Sequence, residues 1–426
     1  MTYIAQGQIT PASPQAAVPS PAATRGATSG NAPPANNRGV AAVFDKWLVD
    51  VDDAQSAAGA FPDVAPRVAA GEGTAAWGDA GVICPWAMYV MYGDPRFLED
   101  HYPAMTRWVE YCEKNSKDLL RPAAGYGDWL SIRADTPKDV LATAYFAYST
   151  RLVARAAAAL GKTEDARKYE ALFGRIRDAF QKAYVSPDGK IKGDTQTVYL
   201  LALRFDLLPE NLREPAARRL TADIAARNGH LSTGFVGVGY LCPVLSQTGN
   251  DDVAHRLLNQ ETFPSWLYSI RQGATTIWER WDGWTHDKGF QDAGMNSFNH
   301  YSFGSVGEWL FGDVAGIAPD PDAPGFRRVV VRPRPGAPMT WARTSYESVR
   351  GPVRTEWRRE KGRYDLKVSV PPGATATVWV ASPDPARVTE GGRDARSVPG
   401  VRFVRADAGH AVFEVQSGNY AFSAPL

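Results

Sequence analysis

The apolar residues of this chain change period once, near residue 318, from about 3.6 to about 2. Two folding patterns therefore stand in series, a helical body and a strand-built one, each needing its own buried layer. From Val43 to about Phe311 the helical period dominates. Asp139–Leu160 sets Leu141, Tyr145, Tyr148 and Leu152 on one face, and Glu164–Tyr184 repeats this with Tyr169, Leu172, Phe173, Ile176 and Phe180. Only Gly161–Thr163 separates the two stretches, as in an antiparallel helix pair. Asp194 is expected to cap a helix over Tyr199–Leu208, and Gly229 to close one over Leu220–Arg227. The pattern gives roughly ten or eleven helical segments, joined by Gly- and Trp-bearing loops such as Ala75–Asp79 and Gly125–Trp129.

After Ala318 the texture is different. Pro319–Gly325 is rich in Pro and Asp, and short alternating runs follow: Arg328–Val331, Val353–Trp357, Tyr364–Val370, Thr375–Val380 and His410–Val415. Turn signals such as Pro371–Gly373 and Gly391–Gly392 separate them, which predicts a β-sandwich. Residues 1–39 are rich in Pro, Ala, Ser, Gly and Asn without an apolar period, and are expected to be disordered. The expected division is thus 1–39 disordered, 40–318 helical toroid, and 319–426 β-sandwich.

Composition removes several function classes. With 47 basic and 46 acidic residues, the chain has no broad electrostatic footprint for nucleic acid or an anionic membrane. Cys84, Cys112 and Cys242 are far apart with no C-x-x-C spacing, so they read as small buried residues. The six histidines contain no H-x-x-x-H pair, and no metal or other cofactor is expected. No apolar run nears the ~18 residues of a membrane span, and the first residues lack the basic start and apolar stretch of a secretion signal. As written, the sequence predicts a cytoplasmic location, and nothing in it specifies an oligomeric state.

The densest chemistry is Thr275-Thr276-Ile277-Trp278-Glu279-Arg280-Trp281-Asp282-Gly283-Trp284. Tryptophan faces suit the C–H faces of sugar rings, and carboxylates can take a proton from water or hold hydroxyls. The competing reading makes the tryptophans core and pairs Glu279 with Arg280 or Arg271. A second cluster, Ser297-Phe298-Asn299-His300-Tyr301-Ser302-Phe303-Gly304, offers Asn299 and His300 as hydroxyl partners, or else a loop cap beside packed aromatics. Trp77-Gly78-Asp79 and Gly125-Tyr126-Gly127-Asp128-Trp129 each set a Trp beside an Asp in a Gly-bearing loop before a helix. One such Asp is ordinary capping; two in one helical body point to a pocket at one end of it.

Together these motifs resemble glycoside hydrolase family 78, the α-L-rhamnosidases. The likeness runs through Phe44–Pro66, Ala76–Ala80, Gly127–Trp129, Thr276–Trp281 and Ser297–Tyr301, in that family's order, and covers roughly residues 43–426. Trp278-Glu279-Arg280-Trp281 followed by Asn299-His300 is its most diagnostic pair. The resemblance implies an (α/α)6 barrel followed by a C-terminal β-sandwich, and hydrolysis of terminal α-L-rhamnosides with inversion. It implies Glu279 as general base, and Trp77, Asp79, Asp128, Trp129, Trp278, Trp281 and His300 around a rhamnose-containing glycoside.

One departure stands out. Upstream of the stretch matching Phe44–Asp53 the family carries an Asp-x-x-x-Arg-Asp-Glu-Arg segment that supplies the general acid, and residues 1–39 contain nothing like it. Inverting hydrolysis uses one carboxyl to protonate the leaving oxygen and one to activate water, so impaired activity is expected. Two alternatives remain open at this point: a non-catalytic rhamnoside-binding module, and another (α/α)6 carbohydrate enzyme such as a polysaccharide lyase.

Overall fold

The computed structural model describes residues 37–68 and 71–426. The disorder expected of residues 1–36 lies outside the described residues, while Asn37 already opens the first helix. The helical body runs α1 (Asn37–Asp53), α2 (Ala80–Tyr92), α3 (Arg96–Glu99), α4 (Tyr102–Lys114), α5 (Lys138–Ala159), α6 (Thr163–Tyr184), α7 (Gln196–Arg204), α8 (Glu210–Ala226), α9 (Phe235–Gln247), α10 (Asp251–Leu258), α11 (Trp266–Arg271) and α12 (Val306–Trp309).

These helices are of two kinds. In α7 every residue from Gln196 to Leu203 is buried, and in α9 every residue from Phe235 to Ser246. A helix covered on all sides belongs to the inside of a helical assembly. By contrast, α6 buries the single stripe Tyr169, Leu172, Phe173, Ile176, Phe180 and Tyr184. Inner helices touch in the order α2, α5, α7, α9, α12, and outer ones pack against them, α6 on α5 and α8 on α7. The result is a helical toroid. Sequence periodicity alone understates α5, in which every residue from Val140 to Ala147 is buried rather than one face only.

Helix ends are set by local chemistry. Gly229, at φ +75°, lets its N–H reach the Ile224 carbonyl at 2.9 Å and closes α8 as expected. Asp194 does not cap α7. The helix starts at Gln196, so the hydroxyl one residue before it, on Thr195, accepts from the Val198 N–H, and Asp194 instead accepts from the Tyr199 hydroxyl.

A two-stranded hairpin, β1 (Trp284–Thr285) and β2 (Gly289–Phe290), sits in the long excursion between α11 and α12. The sandwich follows: β3 (Ile317–Pro319), β4 (Arg328–Val331), β5 (Trp341–Ser348), β6 (Gly351–Glu360), β7 (Arg363–Val370), β8 (Thr375–Ala381), β9 (Thr389–Glu390), β10 (Arg393–Asp394), β11 (Val401–Asp407), β12 (His410–Val415) and β13 (Gly418–Pro425). One sheet has the order β11-β12-β8-β4-β3 and the other β10-β9-β13-β7-β6-β5. Among the described residues only the β4–β8 pair is parallel. The sheets enclose Val329, Val378, Trp357, Leu366, Phe413 and Phe422. The sandwich is tied to the toroid by Trp357 Nε1 donating to the Val314 carbonyl at 2.7 Å and by Arg334 against Asp313 at 3.1 Å. Its first strand begins at Ile317, just before the change of texture in the sequence. The three cysteines are buried thiols, and no helix among the described residues is long and apolar enough to cross a membrane.

Candidate active site

Glu279 lies in the excursion between α11 and α12, where two segments are laced together. The Glu279 N–H donates to the Ser297 carbonyl at 2.8 Å, and the His300 N–H to the Ile277 carbonyl at 2.8 Å. The Thr276 hydroxyl donates to the Phe298 carbonyl. This lacing brings the two sequence clusters, 275–284 and 297–304, into one site. The Ser297 N–H donates to Glu279 Oε2 at 2.9 Å, and Oε1 faces His300 Nε2 at 3.9 Å. Neither arginine named by the competing reading reaches Glu279: Arg280 pairs with Asp282 at 3.3 Å and Arg271 with Glu261.

His300 is held from two sides. Its ring packs against Phe235 with centroids 4.9 Å apart, and its Nδ1 accepts from the Ser302 N–H at 3.3 Å. An accepting Nδ1 leaves the hydrogen of a neutral imidazole on Nε2, the atom that faces Glu279. Burial lowers the imidazole pKa, outweighing the opposing pull of the Glu279 carboxylate. The gap to Glu279 Oε1 is longer than a hydrogen bond, which leaves both groups able to take a third polar partner between them.

Phe235 opens α9, and its N–H donates to the Trp129 carbonyl at 2.8 Å, which carries the Trp129 loop to the same place. Asp128 makes this junction. Its carboxylate accepts from the N–H groups of Gly234 at 2.8 Å, Val236 at 2.9 Å and Gly237 at 3.1 Å, and from the Thr197 hydroxyl. It thus caps a helix more than a hundred residues away in the chain, where the helix dipole favours a negative group. Gly234 is required here, since a Cβ would lie 2.2 Å from the Trp129 carbonyl oxygen. Asp79 is likewise consumed internally: Trp108 Nε1 donates to it at 2.9 Å, the Ser149 hydroxyl at 2.6 Å and the Ala76 N–H at 2.8 Å. For both aspartates burial raises the carboxyl pKa above its ordinary value despite these donors.

The aromatic residues divide in the same way. Trp281 is core, stacked on Phe303 at 3.8 Å and edge-on to Trp266 at 5.5 Å. Trp278 is also buried, edge-on to Phe298 at 5.3 Å. Trp129 is 36% exposed. It meets Tyr126 edge-on at 6.1 Å, and Tyr126 meets Trp77 at 4.9 Å. Tyr126 is 39% exposed, and its hydroxyl donates to Asp63 at 2.9 Å.

Of the residues that the motifs single out, Glu279, His300 and Trp129 are therefore brought to one place, with Trp77 joined through Tyr126. Asp79 and Asp128 are buried, with three and four donors directed at their carboxylates, and Trp281 is buried between Phe303 and Trp266. Their contacts are thus with the fold, where the resemblance implies a substrate contact. Tyr126 and Phe235 were passed over. The first lies within the Gly125–Trp129 motif but carries no charge, and the second lies in an apolar run that reads as core.

A helical toroid followed by a β-sandwich, with a carboxylate and an imidazole on loops of the toroid, is the architecture of the six-hairpin glycosidase domain. The comparisons are specific. The family model for the bacterial α-L-rhamnosidase 6 hairpin glycosidase domain matches residues 27–314, and that for the bacterial α-L-rhamnosidase C-terminal domain matches residues 316–394. The chain belongs to the bacterial α-L-rhamnosidase family.

An α-L-rhamnosidase of Streptomyces avermitilis is 55% identical over 381 residues, 89% of this chain and 36% of that protein. One from Formosa agariphila is 36% identical over 398 residues, 91% of this chain and 43% of that protein. The crystal structure of the S. avermitilis enzyme complexed with L-rhamnose superposes with a TM-score of 0.86 at 54% identity, covering 91% of this chain and 36% of that one. The native α-L-rhamnosidase of Aspergillus terreus gives a TM-score of 0.81 at 30% identity, covering 91% and 43%. The chain thus spans only about two-fifths or less of the length of these relatives.

Proposed function

We propose that this chain carries the base side of an inverting α-L-rhamnosidase, with Glu279 as the general base that activates water. The observation that carries this reading is the setting of the Glu279 carboxylate. It has no guanidinium partner among the described residues, one oxygen is fixed by the Ser297 N–H, and the other faces His300 Nε2 at 3.9 Å. A carboxylate oriented by one backbone donor keeps lone pairs on its second oxygen to accept a proton from water. His300, kept neutral by burial, donates through Nε2 to a sugar hydroxyl or to the water that Glu279 deprotonates. Trp129 and Tyr126 offer apolar faces to the rhamnose ring, with Trp77 packed behind Tyr126 and Trp278 supporting the Glu279 loop. The relative crystallised with L-rhamnose supports the choice of sugar.

These 426 residues contain no counterpart of the family's acid-bearing Asp-x-x-x-Arg-Asp-Glu-Arg segment. Protonation of the leaving oxygen contributes roughly 10²–10⁴-fold in rate, so the chain by itself is weak on alkyl and sugar rhamnosides. It is less impaired on aryl rhamnosides, whose phenolate departs without a proton. Turnover of 4-nitrophenyl and methyl α-L-rhamnoside tests this, with the anomer first released followed by NMR. The expected result is a measurable aryl rate, a far lower methyl rate, and release of the inverted β-anomer. Equal rates would show that another carboxyl acts as the acid, and release of the α-anomer would remove the inverting mechanism.

A further inference from the structure

Tyr126 is an exposed ring on a pliable stretch of chain. It lies between Gly125 and Gly127, whose φ angles of +89° and +71° suit glycine, so the backbone on either side does little to fix its side chain. Three contacts take over that task. Trp77 meets the ring edge-on at 4.9 Å, Trp129 meets it edge-on at 6.1 Å, and Asp63 accepts from its hydroxyl at 2.9 Å. Edge-on ring contacts tolerate a range of positions. The hydrogen bond is directional and holds the far end of the ring.

Asp63 belongs to a strap that doubles back on itself. Its N–H donates to the Gly71 carbonyl at 3.1 Å, the Gly73 N–H donates to the Phe61 carbonyl at 2.9 Å, and Pro62 is bridged to Glu72. The Asp63 side chain is 3% exposed. Oδ1 accepts from the Thr74 N–H at 3.2 Å, and Oδ2 from the Thr74 hydroxyl at 2.9 Å and the Tyr126 hydroxyl at 2.9 Å. The strap's own arginine, Arg67, pairs with Glu72 at 3.2 Å instead. The Asp63 charge is thus met by neutral donors, in hydrogen bonds of the stronger, charge-assisted kind. The space around the bond is closed, since a Cβ on Gly71 would lie 2.3 Å from Oδ2 and 3.0 Å from the Tyr126 oxygen. Thr74 suffices to close the strap. The third donor comes from a different loop, the one that carries Trp129, and ties the strap to it. Burial, then the hydrogen bond to Asp63 and its charge, raise the Tyr126 pKa, which keeps the phenol a donor.

We propose that Asp63 is a positioning residue of the rhamnose site, clamping the Tyr126 hydroxyl so that the ring stands as a fixed wall beside Trp129. The proposal rests on the glycosidase reading for the sugar that meets this wall. A wall ordered before the sugar arrives spares the cost of ordering it on binding. Asp63 therefore acts on KM rather than on the chemistry at Glu279.

Kinetics on 4-nitrophenyl α-L-rhamnoside and tyrosine NMR test it with the 426-residue chain. Tyr126→Phe keeps the ring without the hydroxyl, and should raise KM roughly fivefold with kcat little changed. Asp63→Ala should raise KM at least as much, and Asp63→Asn, which keeps an oxygen for the hydroxyl, by less. A merely structural Asp63 would lower Tm and the active fraction, hence kcat, and leave KM at the parent value. If Asp63→Ala does not fold, the other two variants carry the comparison. With tyrosine isotope-labelled at Cζ, the Tyr126 signal is the one lost in Tyr126→Phe. That phenol should ionise at lower pH in Asp63→Asn than in the parent, because the neutral amide no longer opposes the phenolate charge. A parental KM in Tyr126→Phe overturns the proposal, and so does a phenol that ionises alike in the parent and Asp63→Asn. A parent that turns over no rhamnoside would count against the glycosidase reading, and the NMR titration would still decide whether Asp63 holds Tyr126.

Discussion

Asp128 and Glu279 look alike in sequence, each an acidic residue beside a tryptophan in a loop of the toroid, yet the fold uses them in opposite ways. Asp128 is closed off, with three backbone N–H groups and a hydroxyl directed at its two oxygens. Glu279 receives one backbone donor, and its second oxygen is turned toward His300 across a gap longer than a hydrogen bond. The first arrangement is a fastener, since it fixes the start of α9, and through Phe235 and the Trp129 carbonyl it sets the wall against which His300 packs. The second suits the proposed base, since an oriented carboxylate with unused lone pairs can accept a proton. A site of this kind depends on both. The chemistry of one carboxylate is only as well placed as the scaffold pinned by the other.

The largest effect on this contrast is expected from removing the fastener. Asp128→Ala strands three buried N–H groups and the Thr197 hydroxyl, and unsatisfied buried donors cost about 1–3 kcal/mol each before relaxation. A loss of roughly 4 kcal/mol in unfolding free energy is expected by urea denaturation. A loss below about 1 kcal/mol would mean that the α9 N-terminus holds itself without Asp128.

A smaller effect concerns a buried carboxyl that is neither fastener nor base. Glu308 on α12 has its pKa raised to about 7 by burial, with Arg204 opposing and Asp313 adding to the rise. A carboxyl whose folded pKa lies above its unfolded value favours the native state fully below the unfolded pKa, and loses that contribution as pH climbs through the folded one. The Glu308 contribution should therefore be lost between about pH 4.5 and 7, and Glu308→Gln should remove roughly 3 kcal/mol of pH dependence from the unfolding free energy. Parallel Tm profiles for the two proteins would contradict the buried-acid setting of Glu308.

Much of this was legible in the sequence, and the exceptions have a common physical cause. The change of apolar period located the sandwich and the strands β4, β6, β7, β8 and β12, because alternation survives wherever one face is buried. Strand β5 escaped notice, since Trp341, Ala342 and Tyr346 do not alternate cleanly with polar residues. The Glu279 and His300 clusters were legible because their residues are chemically dense over short spans. The roles of Asp79, Asp128 and Trp281 were not, because what distinguishes a cap from a ligand is the partner. For Asp128 the partners are Thr197, Gly234, Val236 and Gly237, for Asp79 Trp108 and Ser149, and for Trp281 Trp266 and Phe303. Sequence order carries no mark of those contacts.

The claim that these two carboxylates have opposite uses is tested most directly by giving both the same isosteric change and reading the same two quantities. Glu279→Gln and Asp128→Asn would each be measured for 4-nitrophenyl α-L-rhamnoside turnover and for Tm. Glu279→Gln should lose at least about a hundredfold in turnover while keeping its Tm within about 1 °C. Asp128→Asn should lose about 5 °C or more in Tm, with the fraction still folded losing far less turnover than Glu279→Gln because the base itself is intact. The reverse pattern, with an active Glu279→Gln protein or a stable but inactive Asp128→Asn protein, would contradict the account.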